Sequence, residues 1–430
     1  MNRRAGEATY DVAILGGGMA GCAAALAAGR EGARVILAER AGCLGGAATS
    51  GAVAQFIGWS TRAGRVVVRG MAQDITAALQ AIGAAGRLDH FTMSTGNIMD
   101  RIEYDPDALK VVLDQLLIDA GIKVLFHASF MDAETISGRI GAMKLAAPGK
   151  IIDISASSFI DASGDMALLA GGGAEFLDLD DRDRQPATMM FAMAPVDFSR
   201  LDAVGGEEKA AIIVQGLETG ALSRAALHYS RVPGSDVAWF NISRVTVDPM
   251  DPFSLSAGEM EGRAQAMTIS RFLRDSLPGC ENARLSQIAP SLGIRDSRQV
   301  WGDHVLKVEE LQDGTVFEDS IACGAYPIDI HHNDDPAITF VEFGEDHFYR
   351  IPYGSMLPRG LDNVAAAGRG ISADAMAFAA VRVMPSAMAI GHAAGVAAAI
   401  AARDHGGSYR EVPISELQST LRRQNAFLGN

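Results

Sequence analysis

Residues 13–21 read AILGGGMAG, an apolar run that ends in a knot of glycines. Gly16, Gly18 and Gly21 give G-x-G-x-x-G after a predicted strand, Tyr10–Leu15, and at the start of a small-residue helix predicted over Met19–Glu31. The first glycine permits the tight turn, the second lets backbone approach a pyrophosphate, and the third lets helix pack on strand. Met19 and Ala20 open a helix whose free N–H groups and dipole favour phosphate. A ligand-free packing turn would also use glycines, but the next element argues against it. A second predicted strand, ARVILA over Ala33–Ala38, ends at Glu39, 18 residues after Gly21. A carboxylate there accepts both hydroxyls of an adenosine ribose and repels a 2′-phosphate. Strand, glycine loop, helix and strand make a βαβ unit, which implies a parallel sheet. The unit predicts a bound dinucleotide without specifying which one.

The pattern then changes twice along the chain. In residues 56–104, RVVVRGMAQDITAALQAIG predicts a strand and then a helix. DPDALKVVLDQLLIDAG predicts a helix from Pro106, with proline in the first turn and glycine near the end. KVLFHASFMDAET reads as a strand, followed by two strand-like runs around a PGK turn. GGGAEF (171–176) lacks the strand and the acid of a second glycine fingerprint, and reads as a turn. From about residue 187 to 345 strands alternate with amphipathic helices, one of which Ser256 and Glu259 would start as a capping box. Two later segments return to the pattern of the opening. FIDASGD (159–165) and NVAAAGRGISAD (363–374) each end an apolar strand in a small-residue loop. A cofactor domain built from both chain ends and a middle piece, with a second domain inserted, fits this order.

Composition excludes several classes. With 430 residues, 48% hydrophobic and 21% charged, the chain can bury a large core and is no disordered segment. A net charge of −15 argues against a nucleic-acid partner. Cys22, Cys43, Cys280 and Cys323 form no CxxC pair, so neither a metal site nor a disulfide framework is expected. The N-terminus reaches a core strand too early for a signal peptide, and the run Ala387–Ala401 reads as too short and weakly hydrophobic to span a bilayer. A cytoplasmic, membrane-free protein is the expectation, and the chain is compatible with a homo-oligomer.

With GGGMAGCAAALAA, GCLGGAATSG (42–51), GIRDSRQVWGDH (293–304), GAYPIDIH (324–331), IPYGSMLPRGLDNVAAAGRGIS (351–372) and AFAAVRVMPSAMAIGHAAG (377–395) in order along it, the chain resembles a bacterial group of FAD-dependent oxidoreductases. They belong to the two-dinucleotide-binding superfamily that includes glutathione-reductase-like proteins and the succinate dehydrogenase flavoproteins. The resemblance implies an α/β fold: an FAD-binding Rossmann-like βαβ domain, parallel sheet plus β-meander, with an inserted α+β substrate domain. The FAD domain would comprise 1–55, 105–186 and 346–430, and the substrate or cap domain 56–104 and 187–345.

It also implies roles. Gly16, Gly18, Met19, Ala20 and Gly21 would hold the FAD pyrophosphate, Glu39 the ribose, and Arg40 would lie beside the adenosine. Gly45, Gly46 and Thr49 would pass along the ribityl chain and flavin, Ala128 along adenine, and Gly164 and Asp165 along the phosphates. Gly368 and Arg369 would neighbour the pyrophosphate or ribityl group. The helix N-terminus around Met384–Ala387, with Ser386 and Ala387, would face the flavin N1/O2 edge, where reduced flavin gathers negative charge. Cys43 stands alone: flavin disulfide reductases carry a second cysteine where Ala48 stands here, so Cys43 would pack, contact flavin or link to it covalently.

Hydride transfer to or from flavin N5 benefits from an acid or base. His331, completing PIDIH, is the first candidate, with Tyr326 and Asp329 behind it; a structural histidine is the alternative. Arg382, Arg295 and Arg298 are candidates to clamp a carboxylate or stabilise developing charge, against internal ion pairs with Asp296 or Asp303. The expected activity is hydride transfer between a small anionic organic metabolite and flavin, with the electron donor or acceptor unassigned. A non-catalytic FAD-binding scaffold or assembly factor and an FAD-dependent RNA-modifying enzyme are the alternatives.

Overall fold

A computed structural model describes residues 10–92, 97–178, 184–333 and 335–429. The opening folds as its pattern dictates: strand β1 (Tyr10–Leu15), helix α1 (Met19–Arg30) and strand β2 (Val35–Ala38), with β1 and β2 parallel. The glycines between β1 and α1 leave the chain free to turn back on itself, and the apolar side chains of both strands lie in one buried core.

Five more strands complete this sheet: β3 (Lys123–Leu125), β4 (Ser129–Ile136), β5 (Arg139–Ala147), β6 (Lys150–Asp161) and β7 (Val364–Ala366). Their order is β3-β2-β1-β6-β5-β4, with β7 also on β6. The long β6 serves two purposes. Residues 150–155 pair antiparallel with β5 in a meander, while 156–161 run parallel to β1 and 159–161 parallel to β7. The carboxyl ends of β1, β6 and β7 therefore lie side by side, and each feeds one of the three small-residue loops, at 16–18, 162–165 and 367–370. Ligands of open α/β sheets bind at such ends.

A four-stranded antiparallel sheet, ordered Tyr229–Arg231, Ala238–Phe240, Phe191–Ala194 and Arg284–Ile288, packs with the helix Pro252–Ser276 into a second core. The helix Met384–Asp404, labelled α2, crosses the main core. It is long and apolar enough to cross a membrane by length and composition, contrary to the expectation that this run is too short, but 89% of its apolar window is buried inside the fold.

Three local expectations change. RVVV forms no strand: Val66 makes one isolated bridge, to Ser60, and the helix Met71–Ala81 follows. KVLFHASF breaks in two because the chain leaves its parallel partner after Leu125. His127 adopts φ 53°, and the Ala128 N–H donates to the Glu39 carbonyl before the meander begins. The long helix starts at Pro252 rather than Ser256. The Asp251 carboxylate caps it by accepting from the Phe253 and Ser254 N–H groups, and the Ser256 hydroxyl, one turn inside, donates back to the Pro252 carbonyl.

Candidate active site

The glycine loop divides its labour between packing and exposure. Gly16 has φ 101°, and a Cβ there would stand 2.4 Å from the Ala162 carbonyl oxygen. A Cβ on Gly21 would stand 1.9 Å from the Gly16 carbonyl oxygen, so this glycine exists for the loop–helix contact. At Gly18 a Cβ would meet nothing within 4 Å, because the position borders open space. No side chain caps α1 at Gly18 and no acid lies in its first turn, which leaves the N-terminal N–H groups available to an anion. Beside them the buried Glu39 accepts from Gly17 N–H at 2.6 Å and Ala41 N–H at 2.7 Å, one bond on each oxygen. A carboxylate has about four lone-pair sites, so acceptor capacity remains.

These groups line one side of a cleft of about 480 Å³, inside the range of about 300–1,000 Å³ common for cofactor sites. Gly46 lies against Gly18, and Gly45, Gly164, Asp165, Gly368 and Arg369 also line the cleft. Arg369 ties neighbouring segments together: it donates to the Gly164 carbonyl, the Ile294 carbonyl and the Asp165 carboxylate, the last at 2.6 Å. Burial alone would raise the Asp165 carboxyl, but Arg369 and Arg40 hold it below its ordinary range.

Helix α2 reaches the cleft through its crossing with α1. A Cβ on Gly391 would lie 2.1 Å from the Ala20 carbonyl oxygen, and one on Gly395 2.2 Å from that of Ala24. Two glycines one turn apart thus let the backbones touch, which sets Met384 and Ala387 on the cleft. The N-terminus of α2 also has no side-chain cap.

At that end the cleft opens into a chamber of about 180 Å³; Ala47, Gly293, Ile294, Arg369, Arg382 and Met384 line both. One wall of the chamber is apolar, with Val53, Ile57, Phe91, Met99 and Met190. The other carries Arg224, Arg295 and Arg382 with Asp329, His331 and His228. Arg382 donates to the Asp329 carboxylate at 3.2 Å and to its carbonyl at 3.0 Å; Tyr326 donates its hydroxyl to the same carboxylate oxygen at 2.9 Å, and His331 Nε2 lies 3.3 Å from it. Burial would raise the Asp329 carboxyl, yet His331, Arg382 and Tyr326 hold it well below the usual carboxylate range. Burial, reinforced by Arg295 and Arg224, pushes His331 well below its ordinary value despite Asp329. His228 is driven down to about 3 by burial and Arg224. Arg224 falls to about 10 and Arg295 to about 9, again by burial and by mutual repulsion of the guanidiniums. At neutral pH the chamber therefore carries Arg224, Arg295 and Arg382, with Arg369 already paired to Asp165, against the one carboxylate of Asp329, and both histidines are neutral.

A family model described as FAD dependent oxidoreductase matches residues 11–421. The chain belongs to the FAD-dependent oxidoreductase family. Its cofactor is FAD, and the cleft suits it: the cradle at Gly18, the uncapped α1 N-terminus and the acceptor at Glu39 answer the needs of a pyrophosphate and an adenosine ribose. No curated protein matches the chain. Among solved structures, a geranylgeranyl bacteriochlorophyll reductase-like protein from Thermoplasma acidophilum is 13% identical, covers 97% of this chain and 84% of its own, and aligns with a TM-score of 0.50, so the two share a fold. A p-nitrophenol 4-monooxygenase from Pseudomonas putida (12% identity, 97% and 84% coverage, TM-score 0.46) and a myxobacterial chondrochloren halogenase (15%, 97% and 79%, 0.46) also match.

Most residues expected at this oxidoreductase's cofactor site line the cleft: Gly16, Gly18, Met19, Ala20, Glu39, Arg40, Gly45, Gly46, Gly164, Asp165, Gly368, Arg369 and Ala387. Four do not. Gly21 is spent on packing, Thr49 turns its hydroxyl back to the Leu44 carbonyl, and Ala128 and Ser386 are buried off the wall. Arg382, Arg295 and His331 meet in the chamber, but Arg298 does not: it donates to the Asp165 carbonyl and stacks on Phe176. Asp303 pairs with Arg410, and Arg295 donates to the Pro186 carbonyl and Asn241. Arg224, His228, Asn241 and Gln55 are chamber residues that sequence reasoning missed. The one signal was for Arg224 and His228, an arginine and a histidine four apart in the largely apolar run ALSRAALH.

Proposed function

We propose that this FAD-dependent oxidoreductase oxidises or reduces a small organic anion seated in the chamber, with Arg382 at the junction between substrate and cofactor. FAD, when bound along the cleft, supplies a hydride acceptor or donor at N5. Gly16, Gly18 and the α1 N-terminus would hold its pyrophosphate, Glu39 its ribose, and the α2 N-terminus its flavin end. Arg224, Arg295 and Arg382 bind and orient the anion. Asp329 fixes the His331 ring, and the neutral imidazole is the group able to take a proton from the substrate or return one. Val53, Ile57, Phe91 and Met99 exclude water.

The observation that carries this reading is a concentration of unmet hydrogen-bonding demand. Among the described residues ten buried side-chain atoms have no partner, and five of them, Arg224 Nε, Arg382 Nε, His228 Nε2, Asp329 Oδ1 and Gln55 Oε1, belong to residues lining this one chamber. Buried polar groups are ordinarily satisfied, so such a set points to a ligand. The test is an anaerobic screen that follows the flavin band near about 450 nm. Oxidised protein is mixed with saturated acids, and dithionite-reduced protein with unsaturated or oxo acids, each beside its neutral amide. An acid that changes the flavin's redox state while its amide does not supports the proposal. Equal reaction of both, or of neither, rejects it.

A further inference from the structure

The unpartnered atoms of the chamber are of two kinds, and the difference narrows the substrate class. Arg224 Nε and Arg382 Nε are donors and fit an anionic oxygen. Asp329 Oδ1 is the opposite: an acceptor on a carboxylate whose other oxygen already serves Tyr326, His331 and Arg382. Asp329 is 5% exposed, so little of it is open to bulk water. A simple carboxylate would answer the guanidiniums and leave this acceptor unmet, at a cost of about 1–3 kcal/mol or more for a charged group.

We infer that the substrate is a hydroxy acid: its carboxylate meets the Arg224 and Arg382 guanidiniums, and its hydroxyl donates to Asp329 Oδ1. This rests on the anion reading above. An ammonium group would also donate, but the chamber already holds Arg224, Arg295, Arg382 and the Asp165-paired Arg369 against Asp329 alone, and a further cation in a buried site is repelled. A hydroxyl supplies the proton without the charge. The chamber's size agrees: about 180 Å³ compares with about 150 Å³ for a cavity that admits benzene, so an acid of about six to eight non-hydrogen atoms fits.

The test uses acids that bind but carry no carbinol hydrogen to lose. 2-Hydroxy-2-methylpropanoate is compared with 2,2-dimethylpropanoate, and 3-hydroxy-3-methylbutanoate with 3,3-dimethylbutanoate. Each pair differs by a hydroxyl in place of a methyl. Calorimetric titration of the FAD-loaded protein is expected to show the hydroxy member of one pair binding at least about tenfold tighter, the effect of one hydrogen bond to a charged group. In Asp329→Asn, which turns the open acceptor into a donor, the preference is expected to fall to less than about threefold. Binding of the methyl acid should persist there, and that binding, with flavin content, reports that the variant is folded; Asp329→Ala is the second variant. Equal affinity within both pairs in the unaltered protein would overturn the hydroxy-acid inference while leaving the anion reading standing. A hydroxyl preference that survives both substitutions would overturn the role of Asp329. Failure of all four acids to bind would overturn the anion reading itself.

Discussion

The Arg382 guanidinium donates to the Asp329 carboxylate at 3.2 Å, yet its Nε has no partner and its side chain borders both the cofactor cleft and the inner chamber. It leaves a buried donor unpaired at the place where two cavities join. Arg382→Met is therefore expected to keep stoichiometric FAD and lose turnover by about 100-fold or more, the scale of a lost charge-assisted contact in the transition state. Arg382→Lys should restore only part, since an ammonium lacks the planar fork. Steady-state kinetics beside flavin content decides this, and unchanged turnover in Arg382→Met would remove the residue from the mechanism.

The glycine loop predicts two different failures. Gly18→Val places its branches in open space, so the protein should fold with unaltered thermal stability and bind FAD at least about 100-fold more weakly, because the side chain occupies the pyrophosphate's place. Gly21→Val drives a side chain into the Gly16 carbonyl and should yield little folded protein. Equal FAD affinity in Gly18→Val and the unaltered protein would contradict the placement.

The α1–α2 crossing is a second place where added volume is costly. Gly391→Ala should force the helices apart, destabilising the protein by about 1–3 kcal/mol and weakening FAD, since both helix N-termini end at the cleft. Gly83→Ala, where a Cβ meets nothing but φ is 74°, measures the backbone penalty alone and should leave FAD affinity intact. Denaturant unfolding and FAD titration of both variants separate the effects.

Buried histidines set the acid limit. His392 is pushed down to about 4 by burial, and His228 to about 3. A histidine depressed in the folded state leaves the unfolded chain binding more protons as pH falls below about 6.5, so stability present at neutral pH is lost on acidification. For His392 alone the loss is about 2–3 kcal/mol by pH 4. Unfolding free energies measured from pH 7 to 4 should fall more shallowly in His392→Gln by about that amount; parallel curves would contradict it.

The βαβ unit and the three cleft loops were legible because backbone demands glycine or small residues at fixed places: Gly16 by its φ of 101°, Gly21 by the approach of α1. Such demands leave a mark in the local sequence. Arg382 was legible for a related reason, lying just before the helix whose N-terminus reaches the cleft. Arg224, His228, Asn241 and Gln55 were not, since they come from segments without periodicity and meet only through tertiary folding. The capping box at Ser256 does not form because Asp251, a better cap beside Pro252, claims the first turn. Arg298 misleads because one residue type serves both a ligand and a loop; its neighbour Arg295 faces the chamber while Arg298 fastens the Asp165 loop.

The central claim is that an organic anion and the flavin meet at Arg382. The most direct measurement is the absorption spectrum of bound, oxidised FAD titrated with 2,2-dimethylpropanoate in three proteins: the unaltered chain, Arg382→Met, and Arg298→Met, whose side chain lies outside the chamber. A saturable perturbation of the flavin bands in the first and third, lost in the second, is the predicted result. A flavin spectrum indifferent to the acid in the unaltered protein, or one perturbed equally in Arg382→Met, would contradict the claim.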